Sequence, residues 1–231
     1  VIYGWIRTSF IDYPDHVASV LFTGGCSFRC PMCHNADLVL HPESLDMIPL
    51  DEVFAFLERR RGLIDGVVFS GGEPTLRNDL PAVLRKAKET GLDIKLDTNG
   101  YHPDRLRPLL EEGLLDYIAM DVKSPPEGYA RLAGLPALDF ERIATSIHML
   151  RTSGREVEFR TTVVPDWLTQ EDIREIGQML QGAPRYVLQQ FRPERTLVAE
   201  LESLQPYPRE VLEAMADSVR PWFDEVLVRG V

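Results

Sequence analysis

The chain has 231 residues, 44% of them apolar, which is enough to bury one sizeable core, so one domain over residues 1–231 is expected. Its 36 acidic side chains against 25 basic ones give a formal charge of -11, which disfavours a nucleic-acid partner, because gripping a phosphate backbone takes clustered Lys and Arg. No apolar stretch approaches the roughly 20 residues that span a bilayer, and residues 1–10 lack a basic segment followed by an apolar one; no membrane segment and no export are expected, and a cytoplasmic location follows by default.

In chain order, β-branched apolar runs alternate with stretches of helical period, the pattern of successive βα units that build a parallel sheet. Strands are expected at 17–23, 67–70, 93–97, 117–122, 157–164 and 186–191. After the first of these, Leu50, Val53, Phe54 and Leu57 share a helical face, with Asp51 and Glu52 in the first turn. The basic run Arg59, Arg60, Arg61 falls at the end of that helix, before Gly62, and reads as dipole complement. Leu80, Val83, Leu84 and Ala87 form the next helix, stopped at Gly91; Leu106, Leu109 and Leu110 the next, stopped at Gly113. Residues 124–139, with Pro125, Pro126 and Pro136, read as the longest irregular connection. Ile143, Ile147 and Leu150 precede Gly154; Ile173, Ile176 and Leu180 follow Thr169, an N-cap with Asp172 three positions on. A last helix is expected over about 209–220, and a short strand over 225–228. The fold class is α/β: a partial (β/α)6 barrel of parallel strands, with its active site at the C-terminal rim.

Four unusual clusters fall on that rim. After the first strand come Cys26, Cys30, Met32, Cys33 and His34; after the second, Gly71, Gly72 and Glu73; after the third, Asp97, Thr98, Asn99 and Gly100; at the fourth, Met120, Asp121, Val122 and Lys123. The three cysteines are the only ones in the chain and lie within eight residues, a poor layout for disulfides and a good one for metal. Thiolates at this spacing suit an iron–sulfur cluster or zinc. Three ligands leave one iron of a cluster open, whereas a structural zinc is closed by a fourth. That fourth would be a histidine: His34 adjoins Cys33 with little freedom to share an ion, and His16 lies before the strand, on the opposite rim. Gly-Gly-Glu alone reads as a turn, and Asp97 and Asp121 alone as strand-end residues or as paired carboxylates for acid–base work.

Taken together, the CxxxCxxC loop, Ser70-Gly71-Gly72-Glu73-Pro74, Asp97-Thr98-Asn99-Gly100, Met120-Asp121-Val122-Lys123, Ile11-Asp12-Tyr13-Pro14 and Gln190-Phe191-Arg192-Pro193 resemble the radical S-adenosylmethionine (SAM) superfamily. Within it they resemble glycyl-radical-enzyme activating enzymes, most of all those of anaerobic ribonucleoside-triphosphate reductase. The resemblance implies an oxidoreductase of anaerobic metabolism, with a [4Fe–4S] cluster on Cys26, Cys30 and Cys33 and SAM as cofactor. It implies SAM contacts from Met32, His34, Gly71, Gly72, Glu73, Asp97 and Lys123, with Glu73 and the glycines toward the α-amino group and Lys123 toward the carboxylate. It further implies a monovalent cation held by Asp97, Thr98, the Met120 carbonyl and Asp121. The implied partners are a glycyl radical enzyme as protein substrate and a flavodoxin- or ferredoxin-like electron donor. Met32 stands where the family carries an aromatic residue; a thioether can fill the same space. Two alternatives remain open: a radical enzyme acting on a small molecule, in the manner of deazaguanine synthesis, and a zinc-stabilised binding module without catalysis. Arg160, Gln189 and Gln190 carry no assigned role.

Overall fold

A computed structural model describes residues 1–231. Eight strands follow one another through the sheet in chain order. By proximity the chain divides into two compact units, Val1–Ser27 with Asp37–Ile118, and Phe28–Ala36 with Ala119–Val231. No helix is long and apolar enough to cross a membrane.

In the first unit, β1 (Gly4–Ser9) lies antiparallel to β2 (Ala18–Thr23), which runs parallel to β3 (Gly66–Gly71), itself parallel to β4 (Asp93–Thr98). Val20 and Leu21, Val67 to Phe69, and Ile94 to Leu96 are all buried, the continuous burial of strands covered on both faces. The crossover helices are α2 (Leu50–Arg59) and α3 (Leu80–Glu89), with short α1 (Ala36–Leu40) before them and α4 (Pro103–Glu111) after β4. Val53, Phe54, Phe56 and Leu57 of α2 are buried, each contributing about 1.5–3 kcal/mol by transfer from water. Pro103 at the first position of α4 removes only an N–H that would have no helical partner.

The second unit takes β5 (Tyr117–Asp121) from Ala119 onward, then α5 (Pro126–Leu132), α6 (Phe140–Arg151), β6 (Glu156–Val163), α7 (Gln170–Leu180), β7 (Arg185–Gln190), α8 (Arg209–Val219) and β8 (Glu225–Arg229). Strands β6, β7 and β8 are parallel. The expected capping box opens α7: the Asp172 N–H donates to Thr169 Oγ1 (3.3 Å), and the Thr169 N–H to Asp172 Oδ2 (2.7 Å). Thr169→Ala should therefore cost about 1 kcal/mol, read as a lower denaturant midpoint at constant m.

All six expected strands and the short terminal one are present. Two readings need correction. Strand β1 was not expected: it is an edge strand with three consecutive exposed residues, Ile6 to Thr8, so it shows no apolar run. Residues 124–139 are not irregular throughout, because α5 forms within them with Tyr129 and Leu132 buried. Pro125 and Pro126, placed there in the irregular connection, are the N-cap and first residue of that helix, where proline is tolerated.

Candidate active site

The rim of the first unit is built by close backbone approach. A Cβ on Gly72 would lie 1.9 Å from the Gly25 carbonyl oxygen, and one on Gly71, at φ 115°, would lie 2.4 Å from the Thr23 nitrogen. Backbone bonds fill that contact, from the Gly72 N–H to the Thr23 carbonyl (2.9 Å) and from the Glu73 N–H to the Gly25 carbonyl (2.8 Å). The glycines thus fasten the end of β3 to the residues just before Cys26. Gly72→Ala should cost at least 1–3 kcal/mol, because backbone must move rather than a flexible side chain, and should lower iron bound per chain along with the thermal midpoint.

Glu73 turns inward. Its carboxylate is 1% exposed and accepts from the Thr75 N–H (3.1 Å), Thr75 Oγ1 (2.6 Å), Thr98 Oγ1 (2.8 Å) and the Asn99 N–H (2.7 Å). Burial pushes its pKa above the usual value, against the pull of those donors. Asn99, thus held by its backbone, donates from Nδ2 to Ser27 Oγ (3.1 Å) and Cys26 Sγ (3.7 Å). On β4, Lys95 is buried and donates to Asp97 Oδ1 (2.7 Å) and to the Asp12 carbonyl (2.7 Å).

In the second unit the Arg29 N–H donates to the Ala133 carbonyl at the end of α5 (2.8 Å), and a Cβ on Gly134, at φ 65°, would lie 1.9 Å from the Arg29 carbonyl oxygen. The next residue is Cys30. Its carbonyl accepts from the Cys33 N–H (2.9 Å), and the Pro31 carbonyl from the Val198 N–H (3.1 Å), so the loop is pinned by its backbone. Met32 is buried. His34 donates from Nε2 to the Arg192 carbonyl (2.9 Å).

Beyond β5, Asp121 accepts from Lys123 Nζ (2.9 Å) at one oxygen and from Arg160 Nε (2.8 Å) at the other. Burial acts to raise the Asp121 carboxyl, but Arg160 and Lys123 outweigh it and hold it well below the usual range. Burial acts to lower Lys123, and the charges of Asp121 and Cys30 hold it above its ordinary value. Burial pushes the Cys30 thiol up to about 11, with Lys123 pulling the other way. A cleft of about 710 Å³ opens beside His34, bordered by Gln190, Arg192 and Arg195. Gln190 gives Nε2 to the Tyr207 carbonyl (2.6 Å) and keeps a buried Oε1 with no partner.

The donor set fits the cluster that the sequence implies. Cys26, Cys30 and Cys33 form no disulfide, and each is partly exposed. In a cubane each thiolate takes its own iron, so three cysteines suffice. His34 has spent one ring nitrogen on a carbonyl, and His16 bonds Pro14 and Asp93, at the start of β4, on the rim remote from the motifs.

The space that Gly71 and Gly72 leave is taken by the chain itself, and Glu73 spends its oxygens on Thr75, Thr98 and Asn99. Thr98 Oγ1 faces Glu73, Asp97 is paired with Lys95, and Asp121 with Lys123 and Arg160, while Met120 is buried in β5. Asn99 and Arg29 are the residues that sequence reasoning passed over. Asn99 stood in the Asp-Thr-Asn-Gly motif with no role of its own; nothing near Arg29 announced that α5 would hold it.

The Radical SAM superfamily model matches residues 20–180. A protein of Methanocaldococcus jannaschii provisionally named a glycyl-radical enzyme activating enzyme is 33% identical over 236 residues, covering 100% of this chain and 96% of its own. The pyruvate formate-lyase-activating enzyme of Clostridium pasteurianum is 26% identical over 226 residues, covering 94% and 92%. Among solved structures, Streptococcus suis SuiB with its precursor peptide SuiA superposes with a TM-score of 0.71 at 15% identity, over 91% of this chain and 48% of SuiB, a likeness of fold alone. The motifs on the strand ends, the α/β fold and these matches agree: the chain belongs to the radical SAM superfamily, in the branch of the glycyl-radical enzyme activating enzymes.

Proposed function

We propose that the chain activates a glycyl radical enzyme, such as an anaerobic ribonucleotide reductase, by removing a hydrogen atom from a glycine Cα of its partner. The observation that carries the reading is the set of three cysteines outside any disulfide, the only ones in the chain, on a loop whose flanking histidine has spent its Nε2 on a carbonyl. Full-length similarity to proteins named as activating enzymes supports the choice of partner. The chemistry supplied by a [4Fe–4S] cluster on Cys26, Cys30 and Cys33 is one-electron reduction of the SAM sulfonium, which splits it into methionine and a 5′-deoxyadenosyl radical. With the cluster and SAM bound, the glycine hydrogen would pass to that radical and give 5′-deoxyadenosine. The electron comes from a flavodoxin- or ferredoxin-like donor.

The chain's own residues bind and orient. Lys123 gives one N–H to Asp121 and has two more for the SAM carboxylate, acting as a fixed point charge. Glu73 acts through Thr98 and Asn99 to hold the Cys26 loop, and Gly71 and Gly72 let that loop close on β3. Met32 lends a buried apolar surface beside the cluster loop. The cleft beside His34 offers room for a substrate segment. A monovalent cation has no part in this proposal, since it would have to compete with Lys95 for Asp97 and with Lys123 and Arg160 for Asp121.

The test mixes the reduced, cluster-loaded protein with SAM and the candidate glycyl radical enzyme and follows the electron paramagnetic resonance spectrum. A doublet radical signal on the partner is expected. SAM cleavage with no such signal would point instead to a small-molecule substrate.

A further inference from the structure

The second unit carries five charged side chains of alternating sign, linked end to end. Lys123 bonds Asp121 (2.9 Å), and Asp121 bonds Arg160 (2.8 Å). Arg160 Nη1 lies 3.9 Å from Glu158 Oε1, and Glu158 takes both arms of Arg229, at 3.0 and 2.8 Å. Arg160 and Glu158 are two apart on β6 and so share a face, while Arg229 reaches them from β8, across β7. Glu158 is 0% exposed, so its charge is tolerated only while cations hold it. The proposed function uses Lys123 and Asp121 from this chain and leaves Arg160, Glu158 and Arg229 without a role.

We propose that Arg229 is a positioning residue for SAM binding, acting through Glu158, Arg160 and Asp121 to fix the Lys123 ammonium. The inference rests on the reading that Lys123 meets the SAM carboxylate. Removing Arg229 leaves Glu158 buried with its bidentate partner gone, and the Arg160 guanidinium on the same strand lies 3.9 Å away. Arg160 is drawn toward Glu158, Asp121 loses one of its two partners, and Lys123 is pulled onto Asp121 and away from the cofactor. The bidentate geometry matters because a guanidinium satisfies both oxygens at once. Glu158→Gln removes the charge that does the pulling and leaves the Arg160–Asp121 bond in place.

The experiment is a double-mutant cycle on the cluster-loaded protein, with the cluster kept oxidised so that SAM binds without turning over; its dissociation constant and the thermal midpoint are both measured. Arg229→Met should weaken SAM binding about tenfold. Arg229→Met with Glu158→Gln should recover most of that loss, Arg229→Lys should lose about threefold, and Glu158→Gln alone should lose less than that. On a Lys123→Met background, Arg229→Met should add no further loss. If Arg229→Met does not fold, the double variant, Arg229→Lys and Glu158→Gln read the same coupling. A lower thermal midpoint with SAM affinity unchanged in Arg229→Met, or a loss that the double variant does not recover, overturns the proposal and leaves the proposed function standing. Absence of SAM binding in the unaltered protein overturns both.

Discussion

Cys30→Ala should bind no [4Fe–4S] cluster and form no 5′-deoxyadenosine, while keeping its fold. The chain holds three cysteines and no spare, so no other thiolate can take the vacated iron. The loop around position 30 is held by backbone, through Arg29 to Ala133, Cys33 to Cys30 and Val198 to Pro31, and none of these bonds needs the sulfur. The stability change should therefore stay within about 1 kcal/mol, as for substitutions that remove no packed or paired group. Iron and sulfide analysis after anaerobic reconstitution, set beside a thermal melt, checks both halves. A variant that melted early would have lost its cluster for a trivial reason and would say nothing about ligation.

Glu73→Gln should act in the opposite way, through the scaffold. The side chain keeps its volume, but one of the two acceptor oxygens becomes an NH2. Facing the oxygen toward Thr75 and Thr98 puts the NH2 against the Asn99 N–H, which now sits 2.7 Å from Oε2; facing it toward Asn99 sets the NH2 against three donors. Either choice strands a buried donor, at about 1–3 kcal/mol. For a chain of this size that is a fall of roughly 2–12 °C in thermal midpoint. Asn99 is displaced with it, and its bonds to Ser27 and Cys26 go too, so iron bound per chain should fall in parallel. If the variant instead melted normally and lost only SAM affinity, Glu73 would be a direct contact of the cofactor's α-amino group, and the inward role described above would be wrong.

The strands were legible because a parallel sheet covered on both faces writes itself as continuous apolar runs, such as Val67 to Phe69. The helices were legible because each pairs an apolar stripe with a stop, as Leu80 to Ala87 does before Gly91. An edge strand has neither signal, which is why Gly4–Ser9 was missed, and Pro125 and Pro126 carry opposite meanings inside a helix and at its start. At the site, the sequence identified the residue types and left their directions open. Nothing in Gly-Gly-Glu says that the glycines admit the Gly25 carbonyl or that the carboxylate faces Asn99, since both depend on partners 26 to 48 positions away. Arg160 gained a partner in Asp121 for the same reason: its bond crosses between strands.

The account stands most directly on one measurement. The purified chain is reconstituted anaerobically with iron and sulfide, reduced in the presence of SAM, and assayed for 5′-deoxyadenosine and methionine. One [4Fe–4S] cluster per chain and equimolar formation of the two products are expected, with both lost in Cys30→Ala. Stoichiometric zinc in the purified chain, with no nucleoside formed after reconstitution, would contradict it.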